Sequence, residues 1–205
     1  WASFMFRIIS GMQCPYCQTP LTETSEECSY CSLSLQSANS LLGPVPRLTT
    51  GLNDILSVLE KKAQSKATKS LAKLSQRFPQ VRMHIIINKF NPNYPLSTHL
   101  FWLFNQGALC TSDRKGGKNH TVLLGLDPGQ GRSGLIVGYG LEPFLAQKAL
   151  DHVLEKAQPL LSEGNHSEAI LAIIDDLAEL MQETCDELEE ILDLEKTETT
   201  HQIEY

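Results

Sequence analysis

The sequence predicts an α/β protein in which a small mixed sheet is sandwiched between helices and preceded by a short zinc knuckle. Short, β-branched apolar runs alternate with longer segments of helical periodicity, which is the pattern of a layered α/β domain. Two closely spaced cysteine pairs near the start of the chain predict the knuckle. The chain has 205 residues, of which 41% are hydrophobic, so it can also form one ordinary core.

The cysteine pairs have the spacing of a metal site. Cys14 and Cys17 form one C-x-x-C, and Cys28 and Cys31 form a second one after ten intervening residues. Each pair points two sulfurs at one ion from a tight turn, and two pairs complete a tetrahedral shell of thiolates that favours zinc. Such a closed shell is structural, because no coordination position stays open for water. We therefore expect these four cysteines to bind a structural Zn²⁺.

Two alternative interpretations of the cysteines compete with a zinc site. Cys-Pro-Tyr-Cys alone is also the active-site tetrapeptide of glutaredoxin-like oxidoreductases, where it follows a strand and opens a helix. Here Pro20 follows three residues after Cys17, and no helical pattern comes after it. A pair of disulfides is the second alternative, but the chain does not look like a small secreted scaffold. The doubled spacing favours zinc over both.

Charge and cysteine usage limit the partners and the location of the protein. A net charge of −7 and a pI near 5.4 argue against nucleic-acid binding. No apolar run approaches the roughly 18 residues of a transmembrane segment. Cys110 and Cys185 are isolated from the pairs, and unpaired thiols beside a thiolate site indicate a reducing, cytoplasmic setting.

Composition divides the chain into five segments. The apolar residues 1–11 are too short for a signal or membrane segment and are interpreted as a remnant of upstream translation. The knuckle occupies residues 12–35, and the Ser-, Pro- and Gly-rich residues 36–50 predict a semi-extended linker. An α/β domain is expected over 51–182, followed by an acidic helical extension and tail over 183–205.

Periodicity predicts the order of elements in the α/β domain. Helical spacing from Leu52 to Phe78 indicates one helix or two. The elements that follow are a buried strand within 81–90, a helix over 96–105, strands over 121–126 and 135–138, a helix from Pro143 to about Leu161, and a last helix from Ser167 into the 190s. The two later strands form a hairpin across a Gly-rich turn, for which a plain turn is favoured over a phosphate-binding nest.

The run Gly138-Tyr139-Gly140-Leu141-Glu142, followed by Leu145 and a helix that ends near Pro159, resembles the TPM domain family. This is a bacterial and plastid family whose members include proteins classed as acid phosphatases. The predicted elements fall in the order of the family over most of residues 50–180. The resemblance implies an α/β/α sandwich, in agreement with the periodicity.

The resemblance also implies an acidic site at the loop ends that holds a divalent cation such as Ca²⁺ or Mg²⁺. Asp127 and Glu142 match the site and are the candidate catalytic residues. Other positions depart from the family, because Lys118-Asn119-His120, Leu145-Ala146-Gln147 and Gly164-Asn165 lack the expected acids. A hard cation needs several carboxylate oxygens, so these departures weaken the implied activity more than the implied fold.

Two helical surfaces are candidates for partner binding. A basic stripe lies on one face of the first helical segment, formed by Lys62, Lys66, Lys69, Lys73 and Arg77. It is either a docking surface or, as we favour, a solvated helix face. The last helix carries a heptad seam of Ile170, Ile174, Leu177, Met181, Thr184, Leu188 and Ile191. Residues 175–195 contain ten acids and no base, so the C-terminal helix predicts self-association, a protein partner or a frayed acidic end.

Two functional hypotheses follow from the sequence. In the first, the protein is a non-catalytic or weakly active interaction module with a zinc knuckle and a TPM-like domain. In the second, it is a metal-assisted acid phosphatase that uses Asp127 and Glu142. The missing acids favour the first hypothesis, because metal-assisted hydrolysis needs a firmly held ion and an activated water.

Overall fold

The computed structural model describes residues 13–22, 25–107, 109 and 117–201, with side chains described for all of these except 117–118 and 191–201. The segment 1–11, interpreted above as an upstream remnant, lies outside the described residues. So does Cys110. Every structural statement below refers to the described part of the chain.

A four-stranded mixed sheet forms the centre of the molecule. Its strands, which are in the same order in space and in sequence, are β1 (Leu52–Asp54), β2 (Arg82–Ile87), β3 (Thr121–Asp127) and β4 (Arg132–Val137). The first three strands are parallel, and β4 runs antiparallel to β3. Almost every residue of β2 and every residue of β3 is buried, as their continuous apolar sequences predict.

Helices cover both faces of the sheet. They are α1 (Leu35–Leu42), α2 (Lys61–Arg77), α3 (Leu96–Gln106), α4 (Gln147–Ser162) and α5 (His166–His201). Because successive strand residues point to opposite faces, Ile85 and Ile87 pack in one apolar cluster with α2, α4 and α5, whereas Ile86 packs in another with α1 and α3. The predicted sandwich of a small mixed sheet between helices is confirmed.

Two glycines allow α3 to lie close to the sheet. Gly125 of β3 and Gly134 of β4 are partners in the strand register. Leu100 of α3 lies over both of them: a Cβ atom at Gly134 would be 2.9 Å from Leu100 Cδ1, and one at Gly125 would overlap Leu100 Cδ2. The missing side chains therefore make room for Leu100 in the closely packed layer between α3 and the sheet.

The prediction of helix from Leu52 onward is wrong, because this segment begins with β1. Leu52 pairs with Ile85 of β2 in parallel register. The carboxylate of Asp54 then accepts hydrogen bonds from the backbone N–H groups of Val58 at 3.1 Å and Leu59 at 2.8 Å, which closes a turn. The helix α2 starts only after this turn, so the sheet has a fourth strand that periodicity did not reveal.

The predicted linker over residues 36–50 begins inside a helix. Ser34 and Ser37 form a reciprocal capping box at the start of α1, with hydrogen bonds of 3.1 and 2.8 Å between side chains and backbone. Asn39 of α1 accepts a hydrogen bond of 2.7 Å from the indole of Trp102 in α3. The serines that suggested extended chain therefore start a packed helix. The domain boundaries themselves remain a prediction.

The seam of the C-terminal helix α5 is buried in its first half and exposed further along. The seam residues Ile170, Ile174, Leu177 and Met181 are buried in the core, with at most 5% of their surface exposed. Leu188, further along the seam, is 40% exposed. The helix backbone continues to His201, past the 190s in which we expected the last helix to end. Although α5 has 36 residues, neither it nor any other described helix is apolar enough to span a bilayer.

We expect Gly125→Ala to lower the free energy of unfolding by about 1–3 kcal/mol, because the new methyl group would displace Leu100 from the sheet. Urea unfolding followed by circular dichroism measures this change. Gly129→Ala is the matched control, since a Cβ atom there would make only an ordinary contact of 3.7 Å. Equal stabilities of the two variants would contradict the close approach of α3.

Candidate functional site

Four cysteine thiols converge near the start of the chain. Their Sγ atoms all lie within 4.8 Å of one another. Cys14 Sγ is 3.6 Å from Cys31 Sγ, and Cys17 Sγ is 3.5 Å from Cys28 Sγ. Sulfurs bound at about 2.3 Å to a tetrahedral ion would be about 3.8 Å apart, so the thiols need little adjustment. The four predicted ligands therefore meet, and together they could bind a metal such as zinc.

Two turns of the same construction hold these thiols. In the first turn, the N–H of Gln18 donates to the carbonyl of Cys14 at 2.9 Å, and in the second, the N–H of Ser32 donates to that of Cys28 at 2.8 Å. Gln18 and Ser32 both have left-handed backbone, with φ of 61° and 56°. Residues with side chains rarely adopt this conformation. Each turn therefore includes one residue whose backbone conformation costs free energy, and this conformation brings the sulfurs together.

The thiols differ in how readily they ionise without a bound cation. The hydroxyl of Thr19 lies 3.2 Å from Cys17 Sγ and, with the Thr19 backbone, lowers the pKa of Cys17 to about 6. Burial raises the pKa of Cys31 to about 12 and also raises the pKa of Cys14. Four thiolates so close together repel one another, so a cation is needed before all of them can lose their protons.

The cysteine turns are packed against the sheet domain. The carbonyl oxygen of Pro15 accepts hydrogen bonds from the hydroxyls of Ser97 at 2.6 Å and Thr98 at 3.0 Å, both in the first turn of α3. The ring of Tyr16 contacts the ring of Tyr94, with centroids 6.3 Å apart. The two buried cysteines belong to the same apolar cluster as the inner face of α3. The knuckle thus forms part of the layer on this side of the sheet.

The two candidate catalytic carboxylates do not meet. Asp127 ends β3, where it is paired in register with Arg132 at the start of β4. Glu142 follows the other end of β4, where the N–H of Gly138 donates to the carbonyl of Thr121 at the start of β3. Because the strands are antiparallel, the acids lie at opposite edges of the sheet, separated by roughly 20 Å of strand. At this separation they cannot bind one ion together, and their roles as site residues stay a prediction.

The carboxylate of Asp127 is buried and already paired with a cation of the same chain. Its Oδ2 accepts hydrogen bonds from Arg132 Nη2 at 3.0 Å, Gln130 Nε2 at 2.8 Å and the backbone N–H of Phe90 at 3.0 Å. The other oxygen, Oδ1, is buried without a partner among the described residues. The Asp127 side chain is 0% exposed and that of Arg132 is 24% exposed. The guanidinium thus supplies the positive charge that a buried carboxylate requires.

Glu142 belongs to no group of three or more potential metal ligands among the described residues. Its side chain is exposed, yet partial exclusion of water around the carboxylate raises the pKa of Glu142. Among the described residues, the four cysteines are the only group of three or more His, Cys, Asp or Glu side chains that could hold one ion. The described side chains therefore do not assemble the divalent-cation site that the resemblance implied.

A sequence model of the TPM domain matches residues 52–180 of this chain. The chain belongs to the TPM domain family. The matched range begins with β1 and ends within α5, so it includes the whole sheet, Asp127, Arg132 and Glu142. The four cysteines and α1 precede it. Among curated proteins, none matches the sequence.

Two solved structures share the fold of this TPM domain. The N-terminal domain of a protein from P. gingivalis has a TM-score of 0.50 and 16% identity, covering 65% of this chain and 82% of that one. The N-terminal domain of the cg2496 protein from Corynebacterium glutamicum has a TM-score of 0.50 and 14% identity, covering 67% of this chain and 84% of that one. At these identities the likeness shows the fold alone.

Sequence reasoning missed the residues that decide how the two candidate sites are built. Asp127 and Arg132 flank the predicted hairpin turn, and an acid and a base at the ends of hairpin strands are candidates for a cross-strand ion pair. The docking residues Tyr94, Ser97 and Thr98 gave no sequence signal. Their contact is with a backbone carbonyl and a ring that lie about eighty residues away in the sequence.

We expect Arg132→Met to lower the free energy of unfolding by about 3–5 kcal/mol, because it leaves the Asp127 carboxylate buried without a counter-charge. Asp127→Asn should cost less, since the amide oxygen can still accept the Phe90 N–H and the guanidinium can still reach water. The double variant should recover part of the loss caused by Arg132→Met. Urea unfolding of all three variants gives the comparison.

The control for this cycle is Arg47→Met, which removes an exposed arginine without a described ion pair. We expect it to change stability by less than about 0.5 kcal/mol. A loss from Arg132→Met that is no larger than the loss from Arg47→Met would contradict the buried ion pair.

Proposed function

We propose that this protein is a non-catalytic interaction module of the TPM family, in which the four cysteines hold a structural Zn²⁺. The observation that carries the proposal is the pairing of Asp127 with Arg132 at 3.0 Å. A carboxylate that serves as a metal ligand must be free to bind a cation, and one that serves as a base must be free to accept a proton. Here the internal guanidinium occupies Oδ2 at the edge of the sheet where the resemblance implied chemistry.

The identity of the metal is inferred from the ligand set. Four thiolates form a soft tetrahedral shell, and the combination of this geometry with these ligands favours zinc over hard cations such as Ca²⁺ and Mg²⁺. Because all four positions are filled by sulfur, the ion would organise the fold and would not activate water. The contacts between Pro15 and α3 support a role in holding the knuckle against the TPM domain.

The exposed aromatic and apolar side chains support the interaction role. Tyr30 occupies the same place in the second cysteine turn as Tyr16 in the first, but it is 80% exposed and is not covered by any part of the described chain. Phe144 and Leu188 are 46% and 40% exposed. Tyrosines with an apolar body and a polar tip are common at protein interfaces. The protein combines a four-thiolate site with a separate free and exposed thiol, Cys185, and this combination fits a reducing compartment such as the cytoplasm.

Zinc binding gives the first test of this function. We expect one zinc per chain by elemental analysis of protein purified without chelators, and no zinc in Cys17→Ser. Removal of the ion with a strong chelator should lower the thermal midpoint by roughly 5–10 °C, because the ion binds only the folded knuckle. Cys185→Ser, which alters a thiol outside the cluster, should keep its zinc. Absence of zinc from the unmodified protein would contradict this part of the proposal.

Phosphate-ester hydrolysis gives the second test, and it examines the alternative of a metal-assisted phosphatase. The zinc-loaded protein should hydrolyse p-nitrophenyl phosphate in the presence of Mg²⁺, Ca²⁺ or Mn²⁺ no faster than Asp127→Asn and Glu142→Gln do. Metal-dependent turnover would replace the non-catalytic role by the phosphatase if Glu142→Gln abolished it with an unchanged thermal midpoint, or if Asp127→Asn abolished it while still folded at the assay temperature.

A further inference from the structure

The four lysines of the basic stripe on α2 are exposed. Lys62, Lys66, Lys69 and Lys73 follow one another at intervals of four, three and four residues, and all four are exposed. The helix contains no acidic residue of its own. In the described part of the chain, none of these lysines forms an ion pair. Glu60 and Glu168 line one cavity with Lys62 and Lys66. Lys69 and Lys73 are therefore the part of the stripe most open to an acid from another molecule.

The outward face of α5 carries the complementary charge. Glu179, Glu183, Asp186 and Glu190 are also spaced by four, three and four residues, and all four are exposed. They lie opposite the buried seam of the same helix. Neither Asp186 nor Glu190 pairs with a lysine or arginine among the described side chains. This acidic face continues into the acidic extension, beyond the part of α5 that packs on the sheet.

The positions of α2 and α5 determine where the two charged faces lie with respect to each other. Arg77, the last residue of α2, donates hydrogen bonds of 2.9 and 3.2 Å to the side chain of Gln182. At the other end of α2, Lys62 lines one cavity together with Ser167 of α5. The helices therefore run side by side in the same direction, and α5 continues past the end of α2 from Gln182 onward. The length of α2 before this point is similar to the length of α5 after it.

We infer that two copies of this chain associate about a two-fold axis near the Arg77–Gln182 contact, with the acidic extension of each lying antiparallel to the basic stripe of the other. Both helices rise about 1.5 Å per residue, so Asp186 comes level with Lys73 of the partner subunit and Glu190 with Lys69 of the partner subunit. The same contact occurs twice, which closes the assembly as a dimer. The inference rests on the proposed interaction role and names its partner as a second copy.

The chemistry of this contact predicts a salt-sensitive dimer. Exposed ion pairs are individually weak and are screened at high ionic strength. Several ion pairs between the basic stripe and the acidic face act together, and they also determine that the two helices run antiparallel. A parallel arrangement of the two extensions would bring like charges together instead.

Sedimentation equilibrium of the zinc-loaded full chain tests the inference. We expect a dimer at about 50 mM salt and a monomer at about 500 mM salt. Lys69→Glu/Lys73→Glu and, separately, Asp186→Lys/Glu190→Lys should each weaken dimerisation at least about tenfold. Lys89→Glu/Lys148→Glu makes the same change in net charge as Lys69→Glu/Lys73→Glu, at exposed positions outside α2 and α5, and should dimerise normally.

The decisive measurement is an equimolar mixture of the two charge-reversed proteins. Each extension then meets a stripe of opposite sign, so a mixed dimer should form although neither protein dimerises alone. A chain that stays monomeric at low salt, or a dimer that neither reversal weakens, would overturn the inference. A monomer that retains zinc and lacks hydrolytic activity would overturn self-association alone and leave the proposed function standing.

Discussion

The burial of β2 and β3 on both faces is the constraint on which the rest of the structure depends. A strand without a solvent-facing side needs an apolar layer above and below it. Three helices provide one layer, but on the other face the described helices are α3 and the short α1, which packs on α3. The two cysteine turns complete that second layer, and their buried sulfurs join its apolar cluster. The knuckle is therefore part of the core of this protein rather than a separate appendage.

Within the common fold, the residues at one loop edge determine what the Asp127 carboxylate binds. Asp127 lies at the end of β3, and this position follows from the fold alone. The β3–β4 hairpin then places Arg132 directly across from the Asp127 carboxylate. A fold can keep its architecture while a single cross-strand neighbour changes what its site can bind.

Much of this architecture could be predicted from the sequence, and the failures have physical reasons. Long apolar runs and helical periodicity located β2, β3 and most helices. The three residues of β1 are too few to show alternation, and the serines that cap α1 resemble a linker in composition. The cysteine ligands could be predicted because each pair is local. The separation of Asp127 from Glu142 depends on strand direction. The predicted hairpin already implies this direction, whereas the family resemblance assigned both acids to one site.

The hydrogen bonds from Ser97 and Thr98 to Pro15 have a consequence for the fate of the protein in the cell. With zinc as the bound ion, its loss would release the turn that covers the start of α3 and uncover apolar side chains beneath it. Chaperones and proteases act on such partly opened chains. The abundance of the whole protein would then follow the zinc supply of its host, without any change in gene expression.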